Sequence, residues 1–163
     1  SGQLRQSLKT KGGITVKGVD DVAVHFSRCC SPVPGDEIVG YVTRGRGISI
    51  HRTDCVNVLG MNEVDRTRLI DAEWQDGAND STTTYSSEIH IYASDRTGML
   101  FDVSQVFKEL SINVTAVNSK SNSKNEKATI TVTFEIRKVD DLNQVIAKLR
   151  MIPGVIDVER SVG

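Results

Sequence analysis

Apolar and polar residues alternate in short runs through the first half of the chain. Ile14-Thr15-Val16-Lys17-Gly18-Val19 reads as a half-buried strand, and Asp20-Asp21 turns the chain into a second alternating run, Val22-Ala23-Val24-His25-Phe26. Pro32-Val33-Pro34-Gly35-Asp36 breaks the pattern, because proline fixes φ and glycine opens the positive-φ region. Ile38 to Thr43 and Ile48 to His51 then flank Arg44-Gly45-Arg46-Gly47, a hairpin signal. Thr53 or Asp54 is placed to cap a short helix running to Leu59, with Gly60 at its end. Arg68 to Trp74 reads as a closing strand.

The second half switches between a period of two and a period of 3.6. Glu88 to Ala93 alternates as a strand, and Thr97-Gly98 opens a helix with Leu100, Val103, Phe107 and Leu110 on one face. Ile112 to Ser119 and Ala128 to Ile136 predict a hairpin across the polar tip Ser121 to Asn125. Asp140 or Asp141 is read as the cap of a second helix whose buried stripe is Leu142, Val145, Ile146 and Leu149. Pro153-Gly154 ends it, and Val155 to Val158 returns as a strand. The order β-α-β-β-α-β predicts a ferredoxin-like sheet with both helices on one face. The fold expectation is therefore α+β, with a small β-rich module ahead of a βαββαβ domain. Its divisions are a tail over 1–12, the module over 13–74, a polar linker over 75–84 and the second domain over 85–163.

Composition narrows the function classes. With 163 residues, 38% hydrophobic and 25% charged, the chain suits two small folded domains and not a disordered or fibrous segment. No apolar run approaches the roughly 20 residues that span a bilayer. Ser1-Gly2 resembles a cloning scar and there is no initiator methionine, so a piece of a longer protein is expected. Net charge is −1; residues 1–60 carry eight Lys/Arg against five Asp/Glu, residues 61–80 two against six, and the remainder ten of each. That basic excess is compatible with a local phosphate contact but does not by itself predict one. Three cysteines are an odd, sparse set, which points to a reducing cytoplasm and not to a disulfide scaffold.

Cys29, Cys30, His51 and Cys55 are the candidate metal ligands, since thiolates and an imidazole are the donors zinc prefers. Adjacent cysteines on a strand would point to opposite faces, so a kink before Pro32 is needed to bring both inward. The alternative is that one of them packs as a small apolar side chain. Sixty residues make a small core, so dependence on a metal or a neighbouring domain is expected. Arg44, Arg46 and Arg52, with Lys17 and Arg28 as neighbours, are candidate phosphate contacts, against a simple solvated turn. His25 and His90 lie on alternating strands and are read as structural. No catalytic constellation stands out.

Asp95-Arg96-Thr97-Gly98-Met99-Leu100, paired with Ile152-Pro153-Gly154-Val155, resembles the ACT family over roughly residues 85–162. Phe26 to Gly40, containing Arg28-Cys29-Cys30-Ser31-Pro32, and Thr43 to Cys55 resemble the cysteine-containing, zinc-finger-like module that precedes the ACT domain in long RelA/SpoT-type stringent factors. The resemblance implies a regulatory fragment of a bifunctional guanosine tetraphosphate synthetase/hydrolase whose catalytic domains lie elsewhere in the parent. It implies docking on ribosomal RNA and uncharged tRNA, a regulatory role for Asp54-Cys55, and zinc in the module. It also implies that Asp95 to Leu100, facing Asn113 and Val114 of a partner, holds an amino acid across a homodimer interface, a branched-chain one suiting the apolar surroundings. Against this stands the reading that Gly98 only allows close helix-strand packing.

Overall fold

In the computed structural model, residues 13–17, 23–75 and 83–162 are described. They fall into two compact units, the second of which is Thr84–Ser161, with Val162 belonging to the first. The expected tail, the Asp20-Asp21 turn and most of the expected linker lie outside the described residues.

The first unit is a five-stranded sheet in the order β1-β5-β3-β4-β2. Its strands are β1 (Ile14–Val16), β2 (Val24–Phe26), β3 (Ile38–Val42), β4 (Ile48–Arg52) and β5 (Leu69–Trp74). β3 and β4 form the expected hairpin, with Val42 opposite Ile48. Gly45 and Gly47 both have positive φ, and a Cβ on Gly47 would collide with the Ala23 carbonyl oxygen. That close approach lets β2 join β4 in parallel, a pairing the alternation could not reveal. One face of the sheet buries Ile14, Val16, Ile38, Ile48, Ile50 and Ala72 beneath Phe26 and Trp74, whose rings stack with centroids 5.6 Å apart. The opposite face carries a second, smaller core of Cys30, Cys55 and Val58, flanked by Cys29, Val39, Met61 and Leu69.

Two single-turn helices cross that second face, α1 (Val56–Leu59) and α2 (Glu63–Arg66). The hydrophobic pattern does not announce α2, although Asn62 caps it by accepting a hydrogen bond from the Asp65 N–H at 2.8 Å. The expected cap of α1 is corrected: its N-cap is Cys55, without a side-chain cap, because Asp54 is engaged elsewhere.

The second unit is the βαββαβ domain, with sheet order β7-β8-β6-β9. β6 (Tyr85–Ser94), α3 (Met99–Glu109), β7 (Val114–Asn122), β8 (Lys127–Ile136), α4 (Val139–Arg150) and β9 (Val155–Arg160) follow the expected order. β8 buries every second residue from Ala128 to Ile136, and its Phe134 ring meets Phe107 of α3 at 5.1 Å. The buried stripe of α3 is Met99, Val103, Val106 and Phe107; Leu100, expected inside, is exposed. The α4 stripe is Leu142, Val145 and Leu149, with Ile146 half-buried. Its N-cap is Lys138, while Asp140 and Asp141 sit in the first turn, where carboxylates favour the helix dipole. No helix among the described residues is long and apolar enough to cross a membrane.

Candidate functional site

Cys29, Cys30, His51 and Cys55 converge on the second face of the first sheet, their donor atoms all within 4.8 Å of one another. The convergence has a local cause. Cys29 and Cys30 lie in a turn, not a strand, and Ser31 takes a positive φ of 46°, so both side chains face inward. The Cys29 Sγ lies 3.5 Å from Cys55 Sγ, 3.9 Å from Cys30 Sγ and 3.4 Å from His51 Nδ1, and Cys30 Sγ is 3.9 Å from that same nitrogen. Corners of a tetrahedron about 2.3 Å from its centre are about 3.8 Å apart, so these separations fit a four-coordinate ion.

The surroundings prepare the donors. His51 Nε2 faces the hydroxyls of Ser27 at 2.9 Å and Ser49 at 3.2 Å, which leaves Nδ1 to the sulfurs. The Arg52 N–H points at Cys30 Sγ at 3.3 Å. Burial pushes the Cys30 thiol up and holds the His51 imidazole below its usual range, with nearby His25 adding to the latter. A cation in the site would offset the burial of Cys30, the coupling of proton release to binding expected of a metal centre.

Beside the cluster an open cleft of about 720 Å³ runs across the same sheet face. Its floor is a row across three strands, because His25 of β2 and Tyr41 of β3 both sit opposite Ser49 of β4. Arg28 and Arg46 stand exposed on its lining, and Arg44 is exposed on the hairpin. Arg52 leaves the candidate phosphate contacts. It is only 5% exposed, donates to the Cys30 carbonyl at 3.2 Å and pairs with Asp54 at 2.6 Å. Lys17 leaves them too, since it follows β1 at the sheet edge opposite β2. His25, read as structural, is exposed and lines the cleft. Only the three-dimensional row could place it there.

In the second unit, Asp95 to Gly98 link β6 to α3, Met99 and Leu100 open that helix, and Gly98 takes φ +83° as its N-cap. The Arg96 guanidinium lies over this loop, donating to the Pro153 carbonyl at 2.8 and 3.1 Å and pairing with Asp102 at 2.7 Å. Asn113 and Val114 do not meet this loop within one copy. Ser94, at the loop, pairs with Lys127 and through it with Asn122, whereas Val114 pairs with Phe134 opposite Ser87. The two halves of the expected amino-acid site therefore sit at opposite ends of the sheet, roughly 26 Å apart along β7. His90 stays in its strand, its Nδ1 2.9 Å from the Thr131 hydroxyl.

Residues 14–75 match the model of the RelA/SpoT RIS domain, and residues 81–160 match that of the ACT domain. The chain is a RelA/SpoT-type RIS–ACT region. A GTP pyrophosphokinase of Escherichia coli (strain K12) is 40% identical over 152 residues, covering 93% of this chain and 20% of that protein. One from Streptomyces coelicolor is 39% identical over 148 residues, covering 91% and 17%. The RIS–ACT region thus spans about a fifth of the length of the curated relatives it matches. The crystal structure of the ACT domain from a GTP pyrophosphokinase of Chlorobium tepidum aligns at 27% identity and a TM-score of 0.43, covering 48% of this chain and 99% of that one. The metal-type cluster and the cleft both belong to the RIS unit; the Arg96 loop belongs to the ACT unit.

Proposed function

We propose that this region is the regulatory part of a stringent-response (p)ppGpp synthetase/hydrolase, docking on ribosomal RNA through its RIS unit and passing the docked state to catalytic domains in the parent protein. The observation that supports it most is the placement of Arg28, Arg44 and Arg46, all exposed around one hairpin and one cleft. Exposed guanidinium groups on a glycine-bounded turn reach phosphates without steric hindrance. Zinc, held by Cys29, Cys30, His51 and Cys55, supplies the structural clamp for the second core of this unit. Asp54 contributes by fixing Arg52 against Cys30, so the Asp54-Cys55 pair acts by holding the cluster's frame. The working compartment in this reading is the cytoplasm, and uncharged tRNA meets the parent on the ribosome.

The test is binding of the chain to ribosomes and to ribosomal RNA as salt is raised. Replacing Arg44 and Arg46 by alanine should lower affinity and flatten the salt dependence, by about 0.7–0.9 in log–log slope for each phosphate that is no longer neutralised. Binding that is unchanged in the double variant sinks the docking reading.

Amino-acid sensing by the ACT unit is the second reading, and the register defines what it requires. β7 is an edge strand, exposed along nearly its whole length, with one side unpaired by any strand of its sheet. Antiparallel pairing with β7 of a second copy would bring the Asp95–Leu100 loop of one copy toward Asn113 and Val114 of the other. A dimer in light scattering, stabilised by valine, leucine or isoleucine, supports this reading; a monomer indifferent to all three removes it.

A further inference from the structure

We propose that the RIS cleft is a nucleotide slot, taking one unstacked base between His25 and Tyr41. The argument begins with strand spacing. His25 and Tyr41 flank Ser49 in one row, each one strand away from it, so their Cα atoms stand about 9.5 Å apart. A base sandwiched between two rings needs roughly 7 Å, twice the stacking rise. The small Ser49 side chain between them leaves that room, and a bulky residue at this position would close it. The outer side of Tyr41 is taken: the Arg68 guanidinium, just ahead of β5, lies 5.1 Å from the ring centroid and donates to its hydroxyl at 3.3 Å. β4 and His25 lie on the other side, where a stacking ligand would enter.

The lining sorts by chemistry in the way a nucleotide requires. Arg46 stands at the hairpin end of the cleft and Arg28 at the cysteine end. Asn57, Asn62 and Asp65 form the helical wall. A carboxylate and two amides suit the amino and imino groups of a base edge, while the arginines suit phosphates. Cations at both ends fit phosphates on both sides of the base, as in a continuous strand, better than the single phosphate group of a mononucleotide. The ligand chemistry is a planar base with phosphate, available from an unpaired RNA residue or from a free nucleotide. The RNA source rests on the docking reading above; the free-nucleotide source does not.

The experiment follows the aromatic side-chain NMR signals of His25 and Tyr41 in the whole chain. Titrants are guanosine 5′-monophosphate, a single-stranded RNA oligonucleotide and an RNA duplex of the same sequence. Saturable ring-current shifts at both residues with the oligonucleotide, weakened at least ~10-fold by His25→Ala, establish the slot with RNA as its source. The same response to the mononucleotide, with Arg46→Ala weakening it, establishes the slot with a free nucleotide as its source. His25 is exposed, so its removal leaves the fold intact. If neither the oligonucleotide nor the mononucleotide moves the two signals, the slot is overturned, even where duplex RNA still binds the chain through Arg44. Binding of duplex alone therefore preserves docking while ending this proposal.

Discussion

Arg96 reaches across 57 positions to the carbonyl of Pro153, donating through both Nε and a terminal nitrogen. This one side chain joins the loop entering α3 to the turn entering β9, the two segments whose sequence carried the ACT resemblance. Its pairing with Asp102 in the first turn of α3 fixes the guanidinium from the other side. Replacing Arg96 by methionine keeps much of the stem but removes these bonds. An expected loss of about 1–2 kcal/mol, moderated by partial exposure, is measurable by urea unfolding of the ACT unit.

Gly154 and Gly98 flank that staple and differ in what they tolerate. A Cβ on Gly154 would lie 3.0 Å from Met99 Cε and 3.3 Å from Arg96 Nε, at a φ of +94°. A Cβ on Gly98 meets nothing nearer than 3.8 Å, so only its φ of +83° is strained. Gly154→Ala should therefore cost more than Gly98→Ala, about 2–3 against about 1 kcal/mol. Equal losses in parallel melts would contradict this ordering.

The three thiols and one imidazole all lie in one unit, so the proposed zinc site predicts that metal removal acts on that unit alone. Chelation should lower melting of the RIS unit by about 10 °C or more and leave the ACT unit's own transition in place. Added zinc should restore it in the wild type and fail to do so in Cys55→Ser. A melt unaffected by chelators, with no metal released, would show the cluster to be a thiol core.

Arg52 and Arg46 predict opposite phenotypes from the same residue type. Arg46→Ala, on the exposed hairpin, should leave stability within about 0.5 kcal/mol and weaken RNA binding. Arg52→Ala should destabilise the RIS unit by about 2 kcal/mol, because it removes a buried side chain and strips a donor from the Cys30 carbonyl, while the exposed Asp54 is left to water. Circular dichroism melts read the first quantity and filter binding the second.

Ser87 is fully buried opposite Phe134, and its hydroxyl makes no hydrogen bond to any of the described residues. Ser87→Ala should therefore stabilise the ACT unit, by up to about 1 kcal/mol. A clear loss of stability would mean that the hydroxyl is satisfied after all.

The period-two runs of β8 and the period-3.6 stripe of α4 could be read directly, because alternation and helical spacing are local consequences of burying one face. The chain also named the four metal-type donors and the glycines of the hairpin, whose chemistry and φ freedom belong to the residues themselves. What it could not give was the parallel pairing of β2 with β4, which puts His25 in one row with Ser49 and Tyr41 and turns a strand histidine into a wall of the cleft. Nor could it separate Arg52 from Arg46, since a charge is buried or presented only by the partners the fold brings to it. The same holds for the ACT loop and Asn113, set at opposite ends of a sheet by register. Local periodicity fixes which residues face inward; long-range pairing decides which of them meet.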